Sequence, residues 1–214
     1  MALTGSDKIK FKNIFIIFIL MIFIIPIISY AKIPFKESSE SKEIWEELEQ
    51  WFPNEKIRAG VMGLFWKESN FKSNALAGYM YHEKNICEKF CKEINDNLVE
   101  KETKEKFIRM VRYKYGGFGL SQWSTEKYLS DFYDFIIEKN GIIEDTSLQC
   151  EFTYVTINQN KKLMEALEIY QDDEIMCGRI IGYLYDGATP EHCEAIASAA
   201  QFYYEKYSTE GKDN

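Results

Sequence analysis

The sequence predicts a single, mainly α-helical domain, and three observations support this prediction. The chain has 214 residues, of which 46% are hydrophobic and 15% aromatic, enough for one well-buried core and too few for two. From Ser41 onward, apolar residues recur at helical spacing almost everywhere. There is no internal repeat, and the one biased segment is a short Ser/Glu/Lys-rich stretch at 36–42. We therefore expect helices throughout, with at most a small β-hairpin.

Local signals mark where the helices begin and end. Ser41 is predicted to cap the first helix, which Pro53 ends, and Asn54 is predicted to cap the second. Thr189 and Pro190 are the residue types preferred at the N-cap and first position of the last helix. The other predicted helices run through Phe107 to Val111, through Tyr128 to Ile136 with an end at Asn140-Gly141, from a Thr146-x-x-Gln149 capping box, and from Asp172 or Asp173.

The stretch from Ser73 to Gly119 has a weaker helical pattern than the rest of the domain. It ends in Gly116-Gly117-Phe118-Gly119, and such a glycine run favours backbone angles that other residues avoid. We expect a tight turn or a small hairpin at this point.

The first 31 residues have the pattern of a secretory signal peptide. Lysines precede an unbroken apolar run at 14–28, and residues 29–31 (Ser-Tyr-Ala) have the small-x-small pattern of a cleavage site. The run is shorter than the ~20 residues that span a bilayer, and Pro26 interrupts its end, so cleavage is favoured over an uncleaved membrane anchor. The expected segments are a leader at 1–31, a linker at 32–40, a helical domain at 41–207 and a polar tail at 208–214.

The charge of the chain argues against a nucleic-acid partner. Removing residues 1–31 takes away three lysines and Asp7, so the formal charge falls from −8 to −10. Nucleic-acid-binding domains present basic surfaces, and this chain is acidic. We expect an extracytoplasmic protein, secreted or held in the cell envelope, that touches a membrane only through the leader if the leader is not cleaved.

All five cysteines lie after the leader, in the part expected to be exported. Oxidising compartments favour disulfides over free thiols, so at least one disulfide is expected, with one thiol left over from the odd count. Cys87 and Cys91 are near enough along the chain to close a small loop, unless a continuous helix holds them apart.

Glu68 stands at the end of an apolar stripe. On a helix starting after Asn54, positions 57, 61, 64 and 68 share a face, and the first three are Ile, Val and Leu. Burial disfavours the ionised carboxylate and raises its pKa, which suits a proton donor at neutral pH. The alternative is a glutamate at the helix end that points into solvent.

Three blocks of the sequence resemble the phage-tail lysozyme family. Residues 59–71 (AGVMGLFWKESNF) resemble that family's apolar G-x-x-G helix ending in Glu-Ser-x-Phe. Residues 115–124 (YGGFGLSQWS) look like its Y/F-G-L-x-Q-W-T/S segment, and the same order of motifs is similar to goose-type lysozymes and lytic transglycosylases. Residues 188–204 are similar to the family's closing helix, so the resemblance covers roughly 41–207. The chain departs from the family at Ile196, where the family favours arginine, and in the longer stretch 73–115.

The resemblance implies a lysozyme-like α+β fold and an enzyme that cleaves peptidoglycan glycan strands. Glu68 would be the general acid that protonates the oxygen between N-acetylmuramic acid and N-acetylglucosamine. Ser69 and Gln122 would line the cleft, and Trp123 and Phe118, beside the glycine turn, would reach it. Hydrolysis and transglycosylation both stay open. Most glycosidases use two carboxylates, and the candidates for the second are Glu83, Glu126 and Asp131.

Two other classes of function compete with this one. His82 or His192 with Cys150 could form a cysteine peptidase or amidase acting on the peptide stems, although disulfide use of the cysteines is favoured. A non-catalytic wall-binding protein is the third class, against which the retention of Glu68 argues, because a degenerate site has no need of a costly carboxylate. No metal-site, phosphate-binding or dinucleotide motif is present, so we expect no cofactor, and we expect a monomer.

Overall fold

The computed structural model describes residues 35–77 and 84–209 of the chain, and the described residues from Lys36 onward form one compact unit. The expected leader, His82 and Glu83 lie outside the described residues. The described part is mainly helical, as predicted. Its α-helices are α1 (Ser39–Leu48), α2 (Glu55–Ser69), α3 (Lys84–Asn95), α4 (Lys101–Met110), α5 (Glu126–Glu138), α6 (Thr146–Gln159), α7 (Lys161–Tyr170), α8 (Glu174–Ile181) and α9 (Pro190–Tyr207). Two π-helical turns, π1 (Val111–Tyr115) and π2 (Gly182–Asp186), continue α4 and α8.

Three of these helices begin at side-chain caps that the sequence predicted. Asn54, Asp173 and Thr189 each accept a hydrogen bond from a backbone N–H in the first turn of the helix that follows, which confirms three predicted starts. These caps were predictable because the interaction spans only two or three residues.

Two predicted caps were wrong by a few residues. Ser38, and not Ser41, caps α1: Ser38 and Ser41 exchange backbone-to-hydroxyl hydrogen bonds of 3.0 and 3.1 Å in a capping box. Asp145 caps α6 ahead of Thr146, with its carboxylate accepting from the Leu148 N–H at 3.1 Å. In both places another polar residue precedes the predicted one, by three positions at Ser38 and by one at Asp145, and takes the cap.

The stretch from 73 to 119 is more regular than its pattern predicted, since α3, α4 and π1 occupy most of its described part. The glycine run does form a tight turn. Gly116 and Gly119 have φ of 90° and 76°, and Phe118 makes isolated antiparallel bridges to Leu76 and Trp123. Within the described residues these bridges are the whole of the β-structure, in place of a formed hairpin.

Helices α2, α8 and α9 pack against one another through small residues. A Cβ added at Gly63 would lie 2.3 Å from the Ile196 carbonyl oxygen, and one added at Gly178 would lie 2.8 Å from the Ala197 Cα. Arg179 on α8 adds a two-pronged ion pair to Glu194 on α9, at 2.7 and 2.8 Å. We call α2, α8, π2 and α9 the glycine-packed unit.

The second packing region is a set of aromatic rings contributed by α3 to α6 and by the glycine turn. Phe118 lies edge-on to Phe107 at 5.5 Å between ring centroids, and Phe132 stacks on Trp123 at 4.9 Å. All of these rings are buried. We call the following residues the aromatic cluster: Phe90, Phe107, Phe118, Trp123, Phe132 and Phe152.

The structure differs from the expectation of a disulfide, because all five cysteines are buried free thiols. Cys87 and Cys91 lie one turn apart on the same face of α3. The continuous helix keeps the two thiols from closing a loop. Cys177 and Cys193 each donate to a backbone carbonyl, at 3.4 Å to Tyr170 and 3.7 Å to Ala188.

Candidate functional site

Glu68 lies in the last turn of α2, where the apolar stripe ends as predicted. Val61 and Leu64 on that face are fully buried, and the Glu68 side chain is half-buried. Burial and, to a smaller extent, the charge of Asp186 raise the pKa of Glu68 to about 7, while the charge of Lys67 opposes them. A carboxylic acid with this pKa keeps its proton over a large part of the neutral range.

The chain reverses sharply directly after Glu68. Asn70 ends α2 in the left-handed region with φ of 49°, and Phe71 follows with φ of 64°. A bulky residue seldom adopts this conformation. Phe71 is held there by burial and by an edge-on contact with the Tyr203 ring, 5.1 Å between centroids. The turn therefore fixes the end of α2 that carries Glu68.

Asp186 is the carboxylate that stands near Glu68, and the sequence analysis missed it. It is the last residue of π2 and is followed by Gly187 with φ of 70°. Asp186 is exposed at its surface, yet the protein around it raises its pKa by desolvation, and the charges of His192 and Lys67 counteract that effect. In the sequence, Asp186-Gly187 indicates only a turn before the last helix, and Glu68 lies more than a hundred residues away.

Two of the three carboxylates predicted as candidates, Glu126 and Asp131, do not take this place. Glu126 is exposed and forms an ion pair with Arg112, and Asp131 pairs with Lys127 one turn earlier on α5 at 2.6 Å. Glu83 lies outside the described residues. Glu126 and Asp131 were available residues near the second motif, and the fold uses them as surface charges.

Ser69 does not line a cleft. Its side chain is fully buried, and its hydroxyl donates to the Phe65 carbonyl at 2.9 Å, one turn back on α2. This bond satisfies a serine in the last turn of a helix without any ligand. In this structure Ser69 therefore presents no exposed surface to a substrate.

Phe118 and Trp123 do not reach a cleft either. Phe118 is fully buried in the aromatic cluster, and Trp123 is 3% exposed with its ring stacked on Phe132. The Trp123 indole N–H donates to the Tyr185 hydroxyl at 3.0 Å. Their place beside the glycine turn suggested access to substrate, but the turn directs both rings into the core.

Gln122 holds the turn in shape. Its backbone has φ of 48°, and its side-chain Nε2 donates to the carbonyls of Ala75 and Gly119 at 3.2 and 2.9 Å. Its Oε1 is buried and has no hydrogen-bond partner among the described residues. The amide nitrogen is thus committed to the backbone, and the oxygen keeps its capacity to accept a hydrogen bond.

Gln149 supports the same turn from α6. The sequence had instead predicted this residue as part of a capping box at the start of α6. This fully buried side chain accepts from the Leu120 N–H at 2.8 Å and donates to the carbonyls of Ser73 and Ile143 at 2.8 and 2.7 Å. A Cβ at Gly119 would lie 2.6 Å from its Oε1, so the glycine permits the close approach.

A hydrogen-bond chain links the glycine turn to the segment that carries Asp186. Tyr185 precedes Asp186 in π2, and its hydroxyl contacts Trp123 Nε1 at 3.0 Å and Thr156 Oγ1 at 2.9 Å. Burial raises the pKa of Tyr185 to about 12, so the hydroxyl stays neutral and serves as a bridge. The second sequence block is therefore joined to π2 by a side-chain hydrogen bond.

The arrangement of cysteines and histidines does not favour a thiol nucleophile. Burial raises the pKa of Cys150 well above its usual range and that of Cys193 to about 11, so the thiolate is disfavoured at both. His192 is exposed in the first turn of α9. In the described part of the chain, no three His, Cys, Asp or Glu side chains converge in the manner of a metal site.

Comparisons with protein-family models, with curated proteins and with solved structures gave no match to this chain. No helix within residues 35–77 and 84–209 is long and apolar enough to cross a membrane.

Proposed function

We propose that this protein is a peptidoglycan glycan-strand hydrolase of the lysozyme type, with Glu68 as its general acid. The observation that carries the proposal is the state of Glu68: a half-buried carboxyl with a pKa raised to about 7, beside a second carboxyl, Asp186. General acids work best when their pKa lies near the working pH, because the proton is then both present and transferable.

In the proposed reaction, the protonated Glu68 donates to the oxygen that joins N-acetylmuramic acid to N-acetylglucosamine. Protonation makes that oxygen a neutral leaving group as the bond to C1 breaks. The apolar face of α2 keeps the carboxyl poorly solvated, so the acid form is available above the pH at which an exposed glutamate ionises.

The sequence supports the substrate class and the location. The Glu-Ser and G-L-x-Q-W blocks resemble those of phage-tail lysozymes, and the leader pattern indicates export to the compartment that contains peptidoglycan. The proposal thus comprises a lysozyme-like fold and a secreted or envelope-located monomer that acts without a cofactor.

Mass spectrometry of purified peptidoglycan after digestion tests the proposal. The wild-type protein should release muropeptides with new glycan ends. The Glu68→Gln variant keeps the size of the side chain but lacks the proton, and its release of muropeptides should be lower by ~10²-fold or more. Glu126→Gln, a surface carboxylate paired with Arg112, is the matched control and should keep wild-type activity. Release of stem peptides from intact glycan strands would contradict the proposal and support a peptidase or amidase.

A further inference from the structure

The register between α2 and α8 brings two carboxylates from distant parts of the sequence to one end of the glycine-packed unit. At the start of α2, Asn54 Nδ2 donates to the Gln171 carbonyl at 3.2 Å, and Lys56 Nζ donates to that of Asp172 at 3.1 Å. The two helices therefore begin side by side.

The same alignment holds further along the pair. A Cβ added at Gly60 would lie 3.0 Å from the Cys177 carbonyl carbon and 3.1 Å from the Gly178 nitrogen. The sequence offset between facing residues is nearly constant, so α2 and α8 run parallel. Continued through π2, this register sets Glu68 beside Asp186.

Helix α9 runs in the opposite direction and closes the same end with its first turn. Gly178 faces Ala197, and Gly182 faces Cys193, which shows that α8 and α9 are antiparallel. His192 therefore lies near Asp186, and its charge lowers the pKa of that carboxyl. The titratable or charged groups around the pair are Lys67 from α2 and His192 and Cys193 from α9.

We propose that Asp186 is the second catalytic carboxylate, the general base that takes a proton from the attacking water, so that the reaction is hydrolysis. This inference rests on the proposed function of Glu68. Within the described part of the chain, Asp186 acts on Glu68 through its charge and not through a hydrogen bond. A pair that activates a water must leave room for that water and the sugar.

The proposed step balances as follows. Glu68 gives its proton to the glycosidic oxygen while the bond from that oxygen to C1 breaks. The water oxygen forms the new bond to C1, and its departing proton passes to an Asp186 carboxylate oxygen. The products are a reducing-end N-acetylmuramic acid and an N-acetylglucosamine with a free 4-hydroxyl, and solvent returns the proton from Asp186 to Glu68.

The environments of the two groups suit these opposite roles. Burial of Glu68 shifts its pKa far upward, whereas the shift at Asp186 is smaller and is opposed by His192 and Lys67. Between the two pKa values Asp186 is ionised while Glu68 still holds its proton. Activity should therefore fall on both sides of this range, with Asp186 setting the acid limb and Glu68 the alkaline limb.

The test compares Asp186→Asn with Glu126→Gln in the full-length protein, on purified peptidoglycan. Asp186→Asn should lose ~10²-fold or more in kcat. The activity that remains should no longer fall on the acid side of its pH profile. Its alkaline limb should move to lower pH, because removal of the neighbouring negative charge lowers the pKa of Glu68. Glu126→Gln should match the wild type in rate and in both limbs.

Two further readouts separate a catalytic role from a structural one. Carbon-13 NMR titration of the Glu68 carboxyl, which needs no activity, should give a lower pKa in Asp186→Asn. Proton NMR of the fresh reducing end should show inversion at C1, the outcome of a base that activates water. Retention, an anhydro end, or an unchanged Glu68 pKa would overturn the inference.

The outcomes also distinguish this inference from the proposed function on which it rests. If Glu68→Gln abolishes glycan cleavage while Asp186→Asn retains the wild-type rate and pH limbs, Asp186 is not the base and the proposed function stands. If neither substitution affects cleavage, both fail.

Discussion

The glycine-packed unit and the aromatic cluster are built on opposite packing principles. In the first, backbones of α2, α8 and α9 approach so closely that a single Cβ at Gly63 would meet the Ile196 carbonyl at 2.3 Å. In the second, large rings such as Phe107 and Phe132 fill the space between elements, with centroids 6.4 Å apart. The carboxylates stand on the first, at helix ends that tight contacts hold in place.

This difference explains where the expected site residues went. Aromatic residues beside a glycine turn suggested a sugar-binding surface. Their rings are buried, and they stabilise the fold. Helices in backbone contact leave little freedom for their ends, which is the condition for placing two carboxyls within reach of one bond. Substitutions in the two regions should therefore fail in different ways.

The largest expected effect is on stability, from Phe118→Ala in the aromatic cluster. Truncating a fully buried phenylalanine removes its contacts and leaves a cavity, which costs about 3 to 5 kcal/mol in the free energy of unfolding. Urea denaturation measures the loss. At a temperature where the variant remains folded, its KM for glycan strands should equal that of the wild type, and a raised KM with unchanged stability would return Phe118 to the cleft.

Gly63→Ala should be next in size and should also disturb the site. The added Cβ meets a backbone carbonyl that cannot rotate away, so α2 and α9 must separate at a cost of about 3 kcal/mol. Since α2 carries Glu68, cleavage should fall even in the folded fraction.

Gly187→Ala is the control for this effect. Gly187 has positive φ but nothing within 4 Å of its Cβ position, so it should lose only about 1 kcal/mol from backbone strain. Equal losses of stability and of cleavage in Gly63→Ala and Gly187→Ala would mean that the close approach of α2 and α9 is not what positions Glu68.

Glu68→Gln should stabilise the protein at neutral and alkaline pH. The folded-state pKa of about 7 lies above the ordinary value of 4.5, so ionisation of Glu68 opposes folding. Below about 4.5 both states hold the proton and the penalty is absent. The free energy of unfolding of the wild type therefore decreases as the pH rises from about 4.5 to about 7. The variant has no carboxyl at this position and does not show this decrease. After allowance for partial exposure, the difference at pH 8 should be about 2 kcal/mol.

Thermal unfolding at pH 4 and pH 8 measures this gap, and Glu126→Gln again provides the comparison. A gap of the same size at both pH values would show that Glu68 titrates normally.

Tyr185→Phe should have the smallest effect on stability, about 1 kcal/mol, because it removes one hydrogen-bonding hydroxyl and leaves the ring. The loss leaves the Trp123 indole N–H and Thr156 without their shared partner. If this link positions π2, the alkaline limb of the pH profile should shift although Tyr185 touches neither carboxyl. An unchanged profile would show that the aromatic cluster does not act on the site through this bond.

Features that depend on neighbours along the chain are predictable from the sequence. The caps Asn54 and Thr189 and the apolar stripe that ends in Glu68 are of this kind, because each pattern lies within one helix. The position of Asp186 is not predictable in this way, because it depends on the register of α2 against α8, which glycines such as Gly60 set through contacts between distant residues. The burial of Phe118 is not predictable either, because the exposure of a turn residue depends on which way the turn faces.

The most direct test of the central claim is a carbon-13 NMR titration of the Glu68 carboxyl, run beside the pH dependence of glycan cleavage by the same protein. We expect Glu68 to titrate at about 7 and cleavage to fall on the alkaline side with the same pKa. A Glu68 pKa near 4.5, or full activity after Glu68→Gln, would contradict the role of this residue as the proton donor.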